Sequence, residues 1–217
     1  MMKNGILILF VFGFQSIFCA QFYNRTGKNM GLYFSAAPIN AIHLKGNNLS
    51  INSYQFSTGF VKMIYSGIYP KIGYGYTILK DNSNLVFSNN GIHSVNIGVL
   101  CDINLLDFGL RKIGSTCHAI KCGLILTPEY RHAFNSGGIK NYSIGEFSGE
   151  IGLSFCHVSS SPSKKNRSKT RHYDFYYRNG FTPFYKTNGF AGTDKYMSKE
   201  IGFRIRFMFH KVYDFLK

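Results

Sequence analysis

The chemistry available to this chain begins with charged residues set at strand spacing. Glu146 and Glu150 share one parity within Ser143 to His157, and Arg204 and Arg206 share one parity within Ile201 to Phe209. Successive side chains of a strand point to opposite faces. Each charged pair therefore backs onto an apolar face: Phe147, Ile151, Leu153 and Phe155 in the first segment, and Ile201, Phe203, Ile205, Phe207 and Phe209 in the second. A carboxylate turned toward lipid would cost on the order of a few kcal/mol, so the acids are expected to point inward and to pair with Arg204 and Arg206 in a lumen charge network. A second constellation is the run Lys164, Lys165, Arg167, Lys169 and Arg171, set among serines and followed by Tyr173, Tyr176 and Tyr177. Cations in that density suit phosphate groups or an acidic neighbour. Lys164, Lys165, Arg167, Lys169, Arg171, Tyr173 and Tyr177 are the candidate contact residues for a partner or lipid, with a solvated basic turn as the plainer reading.

Sulfur and imidazole offer less. Cys101, Cys117, Cys122 and Cys156 would remain after export, an even number in an oxidising compartment. Cys101 and Cys122 fall on the apolar faces of consecutive segments, near the same end, and are the candidates for a cross-strand contact. The seven histidines are scattered, and no Cys-x-x-Cys or His pair has ligand spacing. No metal and no cofactor is expected.

The elements that position these groups read as strands. Residues 1–20 form a leader: Lys3, then the apolar run Ile6 to Phe14, then smaller residues to Ala20, which is a secretory signal peptide with cleavage expected after Ala20. Cys19 would suit a lipoprotein signal only if Phe18 were small. Residues 21–217 follow as one domain, in which no run reaches the roughly 20 apolar residues of a membrane helix. If that domain lies in a membrane it must do so as a closed barrel. Period-two matching gives eight segments: Gly31 to Ile39, Ile51 to Met63, Pro70 to Leu79, Ser94 to Ile103, Ile120 to Arg131, Ser143 to His157, Tyr173 to Arg178, and Ile201 to Phe209. In the third, Ile72, Tyr74, Tyr76 and Ile78 oppose Lys71, Gly73, Gly75 and Thr77. In the fourth, Asp102 falls on the inward face, and in the fifth Lys121, Glu129 and Arg131 lie opposite Ile120, Cys122, Leu124, Leu126 and Tyr130. Asn104 to Thr116 reads as a connector, Lys80 to Gly91 as an extracellular loop, and 158–198 either as a strand with loops or as one long extracellular loop.

The composition agrees with a membrane barrel: 21 Phe and 15 Tyr supply interfacial aromatics, 23 Gly suit crowded lumen positions, and charged residues are only 16%. The predicted fold class is all-β, a closed antiparallel transmembrane β-barrel of eight strands with both termini on the periplasmic side. A secreted β-sandwich is the alternative. The formal net charge of +15 implies acidic surroundings, and export argues against nucleic acid.

Taken together, the leader, the aromatic-rich alternating segments and the final strand Gly202 to Phe209 resemble the small outer-membrane β-barrels of the OmpA/OmpX-type superfamily. The Asn- and Lys-rich texture, with Gln21 after the leader, is similar to barrels of the Bacteroidota. The resemblance implies an outer-membrane location and a role as anchor, assembly protein, narrow pore or lipid-modifying enzyme. His157-Val158-Ser159 resembles the His-x-Ser of outer-membrane lipid A deacylases, which implies a histidine base and a serine nucleophile. The deacylase asparagine is replaced here by Ser160, and Asp174 is the nearest downstream acid. A lumen filled by Glu146, Glu150, Arg204 and Arg206 argues against conduction. The expected function is therefore non-enzymatic: a structural or accessory barrel subunit of a larger envelope assembly in secretion, insertion or motility. The alternatives are a narrow channel and, further off, an acyl hydrolase. Expected partners are outer-membrane lipid, lipopolysaccharide, and other outer-membrane or periplasmic proteins.

Overall fold

A computed structural model describes residues 30–44, 49–64, 67–80, 91–113, 116–134, 143–160, 167–181 and 196–211. The expected leader, residues 1–20, lies outside the described residues, as do residues 81–90 of the loop expected at Lys80 to Gly91. The strands are β1 (Met30–Leu44), β2 (Leu49–Lys62), β3 (Ile68–Leu79), β4 (Gly91–Ile113), β5 (Thr116–Phe134), β6 (Ser143–Ser160), β7 (Arg167–Phe181) and β8 (Tyr196–Lys211). Each pairs antiparallel with its sequence neighbour, and β8 pairs with β1, closing the barrel. Seven of the eight expected segments fall within one of these strands and the second, Ile51 to Met63, passes the end of β2 by one residue; the strands run longer, because alternation in sequence fades where a strand leaves the zone that is apolar on one side.

The closure has a definite stagger. Following paired residues once around, Gly31, Val61, Lys71, Gly98, Glu129, Ser148, Gly180 and Ser198 lead back to β1 at Ile42, eleven residues from the start. One of those residues is an insertion, since β1 bulges between Ala37 and Asn40. A net stagger of ten over eight strands corresponds to a strand tilt of about 40°. Pro38 sits inside the bulge, where a residue without an N–H is tolerated. The bulge also switches parity: Tyr33 and Ala37 are buried before it, Asn40 and Ile42 after it.

Connections of five (63–67), two (114–115) and six (161–166) residues join the strands at one end, and four, eleven, eight and fourteen (45–48, 80–90, 135–142, 182–195) at the other. These are called the short-turn and long-loop ends.

Two expectations are corrected here, and one pair of alternatives is decided in favour of a strand. Asn104 to Thr116 is mostly strand, not connector: β4 continues to Ile113 and β5 starts at Thr116. Register shifts at Asn104/Leu106 and Asp107/Leu110, with Gly109 at φ 77°, scramble the alternation that would have revealed it. The tract 158–198 is not one loop, since β7 crosses the wall from Arg167 to Phe181. Cys101 and Cys122 do not meet: Cys101 pairs across to Leu126 and Cys122 to Leu106, and both are free thiols.

Glycine matters most where Gly59 and Gly73 face each other across β2 and β3. The Tyr33 ring lies over the pair, so a Cβ on Gly59 would meet Tyr33 Cε1 at 2.8 Å and one on Gly73 would meet Tyr33 Cζ at 2.8 Å. Gly73→Val is expected to expel Tyr33 from its buried place and to destabilise the barrel by about 1–3 kcal/mol. Urea unfolding in detergent micelles, with Tyr33→Ala as partner mutation, checks this. The double variant should regain part of the loss.

Candidate functional site

The wall sorts its side chains in the reverse of a soluble protein. Outward-facing Phe56, Ile72, Ile97, Phe147, Ile151, Leu153, Phe175, Tyr177 and Ile201 are all exposed, while Lys71, Asp102, Glu129, Arg131, Glu146, Glu150, Asp174, Arg178, Glu200, Arg204 and Arg206 face the lumen. Six of the chain's ten acids and five of its 25 lysines and arginines sit in that lumen. The interior is therefore close to charge balance, and the surplus of +15 belongs to the rest of the chain.

The lumen is built in layers. Val61, Tyr69, Leu100, Ile125 and Met208 make an apolar layer toward the short-turn end. Next comes Arg206, wholly buried. It donates to Asp174 through Nε (2.8 Å) and Nη2 (2.9 Å), and through Nη2 to Asp102 (2.8 Å) and Ser154 (3.1 Å). Its guanidinium lies 5.2 Å from the Tyr69 ring centroid. His172 Nδ1 approaches Asp102 at 3.3 Å. Arg204 bridges Asp174 (3.1 Å) and Glu150 (2.6 Å), with its guanidinium 4.9 Å from the Tyr176 ring. Lys71 joins Glu150 (3.2 Å) to Glu129 (2.5 Å). Arg178 reaches Glu146 (3.1 Å) and Glu200 (3.1 Å), and Arg131 reaches Glu200 (3.0 Å) and Gln55 (2.7 Å). Ser198 donates to Glu146.

Of the four residues assigned to this network from sequence, Arg204 meets Glu150 directly, whereas Arg206 meets Asp174 and Asp102 and Glu146 meets Arg178. Pairing across the lumen depends on the height of each residue, which alternation does not supply. Sequence reasoning left Arg178, Asp174, Glu200 and His172 out of the network. Their signal was the same inward parity, in a strand read too short for β7 and just ahead of the segment read for β8.

A cavity of about 20 Å³ lies toward the long-loop end, lined by Asn40, Ile42, Thr77, Ile92, Ser94, Arg131, Ala133, Glu146 and Ser198. It has room for a water molecule, and Asn40 Oδ1 and Ser94 Oγ lack a protein partner. A lumen so filled offers no described passage for a solute.

The candidate contact residues are dispersed. Lys164 and Lys165 lie outside the described residues, and Arg167 begins β7. Lys169 and Arg171 are exposed on the outer wall, Tyr173 is half-buried beside them, and Tyr177 stands further up the apolar wall. Tyr176 turns into the lumen. The described candidate contact residues Arg167, Lys169, Arg171, Tyr173 and Tyr177 thus belong to β7, a strand of the wall, and not to a loop. His157 bonds to His118 (Nε2 to Nδ1, 3.0 Å), not to Ser159, whose hydroxyl donates to the Lys169 carbonyl at 3.5 Å. Asp174 lies on the lumen face, committed to the two arginines.

Aromatics fringe the long-loop side of the apolar wall: Tyr74 bonds His93, and Tyr130 packs on Phe147 with centroids 5.1 Å apart.

No family model matches the chain, and no curated protein does. Among solved structures the chain is similar to Neisserial surface protein A, with a TM-score of 0.39 and 16% identity over 82% of this chain and 95% of that one. The fold assignment rests on the strand pairing itself: the chain is a closed eight-strand antiparallel barrel with an apolar exterior and a charged interior, the architecture of small outer-membrane barrels.

Proposed function

We propose that the chain resides in the outer membrane and serves there as a structural or accessory subunit of a larger envelope assembly, such as secretion, insertion or motility machinery. The observation that carries this reading is the overhang of β4 and β5 at the short-turn end. β3 follows β4 only to Ile68 opposite Cys101, with Asp102 N–H donating to Gly67 O (2.7 Å), and residues 103–113 have no described strand on that side. With strands tilted by about 40° and rising about 3.3 Å per residue, the ribbon extends on the order of 20 Å past the barrel floor. It carries Leu105, Leu106, Phe108 and Ile113, each 57–67% exposed.

The apolar wall from Phe155 up to Phe181 and Met197 already covers about 25 Å, the height of the band such barrels place in lipid. Leu106 shares the row of Cys122 and Phe155, and Phe108 and Ile113, further along the ribbon, therefore lie beyond the band. An unpaired strand edge bearing large apolar side chains is a template for an added strand from a partner protein. In this reading the chain is not an enzyme, and His157 and Ser159 serve the outer wall.

The test is mild-detergent solubilisation and affinity purification of the wild type beside Leu106→Ser with Phe108→Ser. The expected result is one protein recovered with the wild type at fixed ratio and reduced at least about tenfold with the variant. A monodisperse monomer in both cases, above all one that conducts ions in planar bilayers, would replace the subunit reading by the channel reading.

A further inference from the structure

Outward-facing residues of β5 to β8 form rows across the strands. One row is Leu124, Leu153, Phe175 and Phe203, and the next is Cys122, Phe155, Tyr173 and Ile205. One step nearer the short-turn end the row becomes Ile120, His157, Arg171 and Phe207, and then His118, Ser159, Lys169 and Phe209. Over two rows the middle of the wall passes from apolar to cationic. Arg171 and Lys169 are exposed, and the described acids of β5, β6 and β7, namely Glu129, Glu146, Glu150 and Asp174, all face the lumen. Among the described residues the exposed acid nearby, Asp107 of β4, is paired with Lys121 at 3.0 Å, and Arg171 and Lys169 have no described ion pair, although like charges set close together on a sheet repel.

The two histidines complete the patch. Their rings stack at 5.3 Å, 7° from parallel, joined by the bond from one ring nitrogen to the other. A neutral imidazole has one N–H. If His157 Nε2–H donates, His118 Nε2–H is left over; if His118 Nδ1–H donates, His157 Nδ1–H is left over. In either tautomer the pair keeps a donor for a third group. Arg171, directly opposite His157, adds a planar fork suited to phosphate oxygens, and Lys169 adds a point charge.

We propose that Arg171, Lys169 and the His118–His157 pair bind the anionic phosphate headgroup of a phospholipid in the leaflet at the short-turn end, with its acyl chains against Phe155, Tyr173 and Phe175. The position carries the argument: on β6 and β7 the cations begin where the apolar residues stop, between the apolar flanks Ile120 of β5 and Phe209 of β8, which is the setting of a headgroup above its acyl chains. The inference uses the membrane placement proposed above but not the partner.

Native mass spectrometry of the full chain purified from membranes, with phosphatidylglycerol or zwitterionic phosphatidylcholine added to the micelles, tests it. The wild type is expected to retain one phosphatidylglycerol about tenfold over phosphatidylcholine. Arg171→Gln with Lys169→Gln should abolish that preference, and Lys80→Gln with Lys199→Gln, toward the long-loop end, should preserve it. If the first pair does not fold, Arg171→Gln alone should lower the preference several-fold. Equal retention of the two lipids by the wild type, or a preference unmoved by the Arg171 variants, overturns the proposal. So does full displacement by millimolar inorganic phosphate, which would mark a site for the free anion. Loss of a protein partner leaves this result untouched, so the two readings fail separately.

Discussion

Arg206→Met should unfold at markedly lower urea than the wild type, with a loss of about 3–5 kcal/mol. The wild-type guanidinium is enclosed by Asp174, Asp102 and Ser154 and is fully buried. Methionine approximates its length but removes the cation, leaving Asp102 with His172 alone and Asp174 with Arg204 alone in a lumen without described solvent access. The cost is that of stranded carboxylates, so it should shrink when they are neutralised. Arg206→Met combined with Asp102→Asn and Asp174→Asn should be less damaged than Arg206→Met by itself. Unfolding midpoints in detergent micelles decide the matter. Equal midpoints for wild type and Arg206→Met would mean that the network contributes nothing to stability.

The same lumen shows what the sequence could and could not convey. In β3, β5, β6 and β8 the inward and outward sets are legible because lipid-facing positions demand apolar side chains at every second residue. Lys71, Glu129 and Arg131 thereby stand apart, in the sequence alone, from the apolar sets of their segments. Which inward charge meets which was not legible. Arg206 and Asp102 are 104 positions apart and touch only because the barrel closes with its particular stagger. Alternation also fails wherever a strand gains a residue. The bulge at Pro38 reverses the parity of β1, so Asn40 and Ile42 look misplaced when read from Tyr33. Two further bulges in β4 place Leu105 and Leu106 side by side as exposed residues, which reads as a connector rather than as strand. The overhang on which the proposed function depends was for this reason hidden, whereas the barrel that bears it was not. Near the short-turn end, the basic run of β7 was visible as composition, but the sequence did not show that His118 and His157 stand beside it, because they come from two other strands.

The most direct measurement of the central claim, that the apolar wall faces lipid, is the unfolding free energy of Ile151→Arg in phospholipid vesicles. Ile151 is 51% exposed near the middle of the outer wall, between Leu126 and Tyr177 of the neighbouring strands. On a water-facing surface a charge at such a position would be neutral or would improve solubility. In the middle of a bilayer it is expected to cost about 2–4 kcal/mol and to lower the urea midpoint accordingly. An Ile151→Arg protein as stable in vesicles as the wild type, or a wild type that never enters them, would contradict the account.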